Sequence, residues 1–302
     1  MKKRLLLLVV TVALVSSLLG GCGVVGNKVA VISLSGPIQT EAGGLFLGGR
    51  VITPELVRQQ FERAKEDIGV RAVVLRIQSP GGSVAACQEI LEIMESLGKP
   101  VVVSFGDVVA SGGYYISAKA DKIVALPGTL TGSIGVIAQV PNIAGLYDKL
   151  GIKVEVFREG KHKDMYAGLR ELTPEEKELM QEMTEQLYEQ FVRVVAEGRR
   201  MDEEKVRQLA TGQLYTGEQA KALGLVDELG GLDTAIEVAA QLAGIKQPKV
   251  VYYSPTAPSL LRTLLELGGV VLVDLPKIKL LGVEAVVVEK VLSNPYPQPE
   301  YR

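Results

Sequence analysis

Apolar and polar positions alternate along this chain in two ways, as short β-branched runs and as longer stretches with helical spacing. Asn27 to Leu34 is a compact β-branched run and predicts a buried strand. Thr53-Pro54 supplies an N-cap and a first-turn proline, so the spacing predicts a helix running to about Asp67. Arg71 to Ile77 predicts a second strand, with Ser79-Pro80-Gly81-Gly82 following at once. A helix from Ser83 to Leu97 and a strand from Pro100 to Phe105 come next. This order implies parallel strands joined by right-handed crossovers, hence an α/β fold with a mainly parallel sheet. Gly36 to Arg50 holds five glycines and reads as a mobile loop.

The pattern continues through Ala110-Ser111-Gly112-Gly113-Tyr114-Tyr115, which leaves the third strand and opens a helix ending near Ala120. Lys122 to Ala125 is a short strand, and Thr131-Gly132-Ser133-Ile134-Gly135-Val136 is a turn running into β-prone sequence. Asn142 to Leu150 predicts a helix, and the alternation from Lys153 to Arg158 predicts a strand. Gly160-Lys161-His162-Lys163-Asp164 is a polar loop. Thr173-Pro174-Glu175-Glu176 is a capping box opening a long helix to about Gly198. From there to Leu242 the chain reads as helices broken by Gly224 and Gly230-Gly231. The expected boundaries are 1–22 for an N-terminal segment, 28–245 for the main domain and 246–302 for a C-terminal extension.

Composition adds little to this until the N-terminus is considered. With 47% hydrophobic and 23% charged residues and a net charge of -2, the 302-residue chain suits a folded protein. It has no basic stripe interleaved with aromatics, so nucleic acid is set aside, and nothing in the pattern calls for a metal or a cofactor. Met1 to Arg4 is basic, Leu5 to Leu19 is almost continuously apolar, and Gly20-Gly21-Cys22 closes the run, as in a secretory signal. Leu19 to Cys22 also resembles a bacterial lipobox, which implies a lipidated Cys22 as the new N-terminus. The alternatives are a plain signal or an uncleaved anchor, since the apolar run to Val25 is just long enough to span a bilayer. Each exports the body, which is expected at the extracytoplasmic face of the cell membrane. The other cysteine, Cys87, shares helical spacing with Ile90, Leu91, Met94 and Leu97 and reads as core.

Two glycine-rich loops leave strand ends, and in open α/β sheets that is where ligands bind. Small residues after Ser111 let its hydroxyl stand clear and let a carbonyl approach backbone N–H groups at a helix start. Such a serine needs a base. His162 is the chain's one histidine, flanked by Lys161 and Lys163. A lysine amine does the same work when neutral, and serine–lysine pairs are an established variant of nucleophilic catalysis. By residue type alone, all three basic residues of this loop remain candidates.

The strings SPGG, ASGGYYIS, TGSIGV and GKHKDMYAGLRELTPEE, in this order, resemble the signal peptide peptidase A family of serine–lysine proteases over roughly Lys28 to Ala243. The resemblance implies the caseinolytic-protease/crotonase-like fold of repeated ββα turns. It implies Ser111 as nucleophile and Lys163, immediately before Asp164, as general base. It further implies that Ser133 orients the lysine, that Gly82 and Gly112 donate the oxyanion-hole N–H groups, and that His162 has no role. The chain departs from the family where a Ser-Pro pair is common after the lysine, since it carries Ala167-Gly168 there.

The substrates implied are signal-peptide remnants, cut within their apolar stretch. Double-length relatives take the lysine from one half and the serine from the other, so this single unit is expected to form a cyclic homo-oligomer. Rival readings are a protease acting on stomatin-like membrane partners, a crotonase-like acyl-CoA enzyme, and a non-catalytic lipoprotein scaffold.

Overall fold

The computed structural model describes residues 26–41 and 50–253, together with the backbone of 278–280 and 283–285. The expected lipidation site Cys22 and most of the glycine-rich loop before Arg50 lie outside the described residues. The chain divides into two units, 1–253 and 254–302. In the second, Ile278–Leu280 and Val283–Ala285 pair as a two-stranded antiparallel sheet.

The first unit is built on β1 (Lys28–Ser35), α1 (Pro54–Glu66), β2 (Val70–Ser79), α2 (Val84–Glu95) and β3 (Val101–Ala110). Their runs are apolar because β1 and β2 pair in parallel and are covered on both faces, as is the first part of β3. After β3 come α3 (Gly112–Ser117), β4 (Lys122–Ala125) and β5 (Leu130–Gly132), and further on α4 (Ala144–Lys149) and the long α5 (Pro174–Arg199). The unit closes with α6 (Glu203–Leu209), β6 (Leu214–Thr216), α7 (Gly217–Ala222), β7 (Glu228–Leu229), α8 (Leu232–Leu242) and β8 (Lys249–Tyr253). The main path of the sheet is β6-β5-β3-β2-β1-β8, with β4 joining β3 to β7, and only β5–β6 is antiparallel. The α/β class with a mainly parallel sheet is therefore as the pattern implied.

Three departures matter. β3 runs five residues past Phe105, because an irregularity opposite Ile77–Ser79 lets it change neighbour. Val102–Ser104 pair with β4, and Val108–Ala110 pair with β5. The Gln78 side chain satisfies the bulged backbone by accepting from Asp107 N at 2.6 Å. Next, the expected strand from Lys153 to Arg158 does not form: Val154 and Val156 are half exposed and, among the described residues, no strand pairs with them. Finally, β8 pairs in parallel with β1, so the compact unit continues to Tyr253 instead of closing at 245.

One face of the sheet carries the larger core, which includes Phe61, Ile90, Phe105, Tyr114 and Val195 from α1, α2, β3, α3 and α5. On the opposite face Val31, Val74, Val102 and Val124 pack against Ala235 and Ala239 of α8. The strand ends carrying SPGG and ASGG emerge together at one edge of this sandwich.

Candidate active site

Ser111 occupies the corner between β3 and α3 with φ 51° and ψ -123°, a backbone conformation that side chains rarely adopt. The corner is fixed by the Ser111 N–H donating to Gly132 O and Tyr115 N–H donating to Ser111 O, both at 2.9 Å. Ser133, also at positive φ (47°), follows directly on β5 and donates its N–H to Gln213 O at 2.8 Å. Both serines line a cleft of about 550 Å³. Gly82 and Gly112 line it as well.

The glycines are there because backbones touch. A Cβ on Gly112 would fall 3.0 Å from Gly82 N, and one on Gly82 would fall 1.9 Å from Ile38 O. Ile38 donates to Gly81 O and accepts from Ser83 N, both at 2.9 Å, and so bonds on either side of Gly82. Among the described residues neither Gly82 N–H nor Gly112 N–H donates to another backbone carbonyl. Two unspent donors thus stand beside the Ser111 side chain. Part of the cleft wall is apolar, with Val84, Leu187 and the edge-to-face pair Tyr115–Phe191, whose centroids are 5.1 Å apart.

The profile of peptidase family S49 matches residues 94–246. The chain belongs to peptidase family S49. It is 40% identical to Protease 4 of Salmonella typhi over 233 residues, 76% of this chain and 37% of that one. A chloroplastic serine protease SPPA of Arabidopsis thaliana is 37% identical over 74% of this chain and 34% of its own. A protein of Enterococcus faecium provisionally named signal peptide peptidase SppA is 37% identical over 71% of this chain and 63% of its own. The chain therefore spans between about a third and two thirds of the length of these curated relatives. Among solved structures, a mutant ClpP1 from Listeria monocytogenes aligns at 18% identity with a TM-score of 0.47, over 68% of this chain and 94% of that one.

Within this S49 chain the remaining candidates fall apart from one another. Lys163 does not line the cleft. It is exposed, in the turn that ends a long arm over residues 136–158. That arm displays apolar side chains to solvent, with Ile137 83% and Phe157 92% exposed and Leu146 and Leu150 more than half exposed. His162 faces Glu175 and Glu176, Lys161 pairs with Glu175, and neither lines the cleft that holds Ser111. Cys87 is buried against the back of the corner, 3.6 Å from Gly112 O, and burial pushes its thiol up to about 12. Among the described residues there is no cluster of three metal-binding side chains, and no helix is long and apolar enough to cross a membrane. Sequence reasoning passed over the Ile38 segment, taking it as part of a mobile loop. Its one signal was Ile38 itself, an apolar residue between Pro37 and Gln39 in an otherwise polar stretch.

Proposed function

We propose that this S49 member is a membrane-tethered serine endopeptidase, with Ser111 as nucleophile and Lys163 of a neighbouring subunit as general base. The observation that carries the reading is the Ser111 corner, a strained serine beside two unspent N–H donors at the mouth of an apolar cleft. Ser111 Oγ attacks the peptide carbonyl as its proton passes to the Lys163 amine. The oxyanion gathers negative charge between Gly82 N–H and Gly112 N–H, where a preorganised donor is worth about a hundredfold or more in rate. The lysine then protonates the leaving amine, and water repeats the sequence on the acyl-enzyme. Ser133 holds the amine in line.

Two observations support a base from a second copy. Lys163 lies off the cleft of its own chain, and the arm that carries it exposes more large apolar side chains than a free surface usually keeps. Head-to-tail packing in a ring would cover the arm and bring the lysine to the next cleft. An apolar cleft suits signal-peptide remnants, the substrate suggested by the name of the Enterococcus relative. Tethering rests on the basic-then-apolar N-terminus ending at Cys22. Labelled fatty acid should enter the wild type and not Cys22→Ser, and an intact Met1 in the mature protein would count against lipidation.

The deciding experiment mixes Ser111→Ala and Lys163→Ala subunits. Each alone is inactive, and together some interfaces join an intact serine to an intact lysine, so activity should partly return. A mixed oligomer that forms and stays inactive overturns the shared site. Reaction of Ser111 with a fluorophosphonate separates the protease from a scaffold or an acyl-CoA enzyme.

A further inference from the structure

The turn that carries Lys163 is crowded with charge. Asp164, Glu175 and Glu176 supply three carboxylates, and Arg158, Lys161, His162 and Arg170 supply the facing basic groups. A guanidinium has five N–H donors, and Arg170 uses all of them. Its Nε and Nη2 donate to the two oxygens of Asp164 at 3.1 and 2.7 Å. Its Nη1 and Nη2 donate to the two oxygens of Glu176, both at 2.7 Å. The last donor reaches Glu171 O at 3.0 Å. Glu176 is only 2% exposed and also accepts from Thr173 N in the first turn of α5. Arg170 thus bolts the lysine turn to the helix whose later turns line the cleft through Leu187 and Phe191.

The same contacts settle which cation holds which carboxylate. Asp164 is taken by Arg158 and Arg170, Glu175 by Lys161 and His162, and Glu176 by Arg170 and His162. Of the basic residues from Arg158 to Arg170, Lys163 alone makes no side-chain ion pair or hydrogen bond among the described residues. A nearby carboxylate favours the protonated amine, whereas a general base must be able to give its proton up.

We propose that Arg170 is a positioning residue for Lys163, occupying Asp164 and Glu176 so that the turn is fixed and the amine keeps no acidic partner. The inference rests on the serine–lysine reading and adds a residue to it. Without Arg170 two carboxylates lose their fork, one of them adjacent to the lysine in sequence.

The test places Arg170→Gln in the mixed oligomer of full-length chains. Carried on the Ser111→Ala chain, which supplies the working lysine, it should lower kcat about tenfold or more with KM little changed. Carried on the Lys163→Ala chain it should do little. In the otherwise wild-type chain it should move the acidic limb of the kcat/KM profile to higher pH, and adding Asp164→Asn and Glu176→Gln should move the limb back. Equal losses on either chain, or an unmoved limb, overturn the proposal and leave Arg170 a structural brace. Inactivity of the unmodified mixed pair counts against the shared-site reading instead, and the pH profile of the single-chain variant then decides for Arg170. Thermal melts identify any chain that fails to fold, and Arg170→Lys, which keeps the charge and loses the fork, takes its place.

Discussion

Ser111 is held where a side chain is a conformational burden, and its replacement should report that. Removing Cβ relieves a strain worth about 1–3 kcal/mol. Ser111→Gly should therefore melt a few degrees higher than wild type while losing all peptidase activity, and calorimetry beside a peptide assay checks both halves. A variant that melts lower would show the corner is not strained. Gly82→Ala should fail in the other direction, because its Cβ would meet Ile38 O at 1.9 Å. Stability and activity should fall together. Cys87 is buried and its thiol is raised to about 12, so folded protein should resist iodoacetamide at neutral pH and react only once unfolded. Ser111 and Gly112 were legible in the sequence because glycine after serine is a local signal. The Arg170 fork was not, because it joins three residues through the fold of a turn, and each looked like an ordinary surface charge.

Elements were legible wherever one side of the pattern had something to pack on. α1 and the start of α5 fall where the capping residues Thr53 and Thr173 placed them, and α2 begins at Ser83, which the structure shows also serves as an N-cap. Thr173→Ala should cost about 1 kcal/mol, since the bond that its hydroxyl accepts from Glu176 N–H disappears and only the reciprocal backbone bond to Glu176 remains. The short strands β6 and β7 were missed because two or three residues carry no periodicity; their place is set by β5 and β4. The alternating run from Lys153 to Arg158 misled for the opposite reason, as alternation needs a partner strand and a single subunit supplies none. Acid should weaken the join that Asp227 makes between β4, α5 and the turn before β7. Asp227 is desolvated by burial, yet Arg199, the Ile123 N–H and Lys122 outweigh this and hold its carboxyl below the usual range. A lowered folded pKa means stabilisation that is complete above about pH 4 and is lost as pH falls through the folded value. Asp227→Asn should flatten that acid limb, and at neutral pH it should cost about 3–5 kcal/mol because Arg199 stays buried without its partner. Urea midpoints across pH measure both.

At the scale of the whole molecule, β8 shows where the folded unit stops. The pattern of apolar runs suggested 245, but Lys249–Tyr253 cover the edge of β1 from Lys28 to Ile32, and Tyr253 donates to Asp67 at 3.2 Å. A chain ended at Ile245 should melt lower than one ended at Tyr253 and aggregate through the bared edge. The pattern could not reveal this, because an apolar run that joins a distant strand looks the same as the start of a tail. The exposed arm from 136 to 158 gives the proposed shared site a consequence for the single chain. On the proposed shared site, with the amine outside its own cleft, a lone subunit would be a latent hydrolase, its serine idle until a second copy brings a lysine. Its proteolytic power would be switched on by crowding: serial dilution should extinguish activity more steeply than in proportion to protein, and reconcentration should restore it.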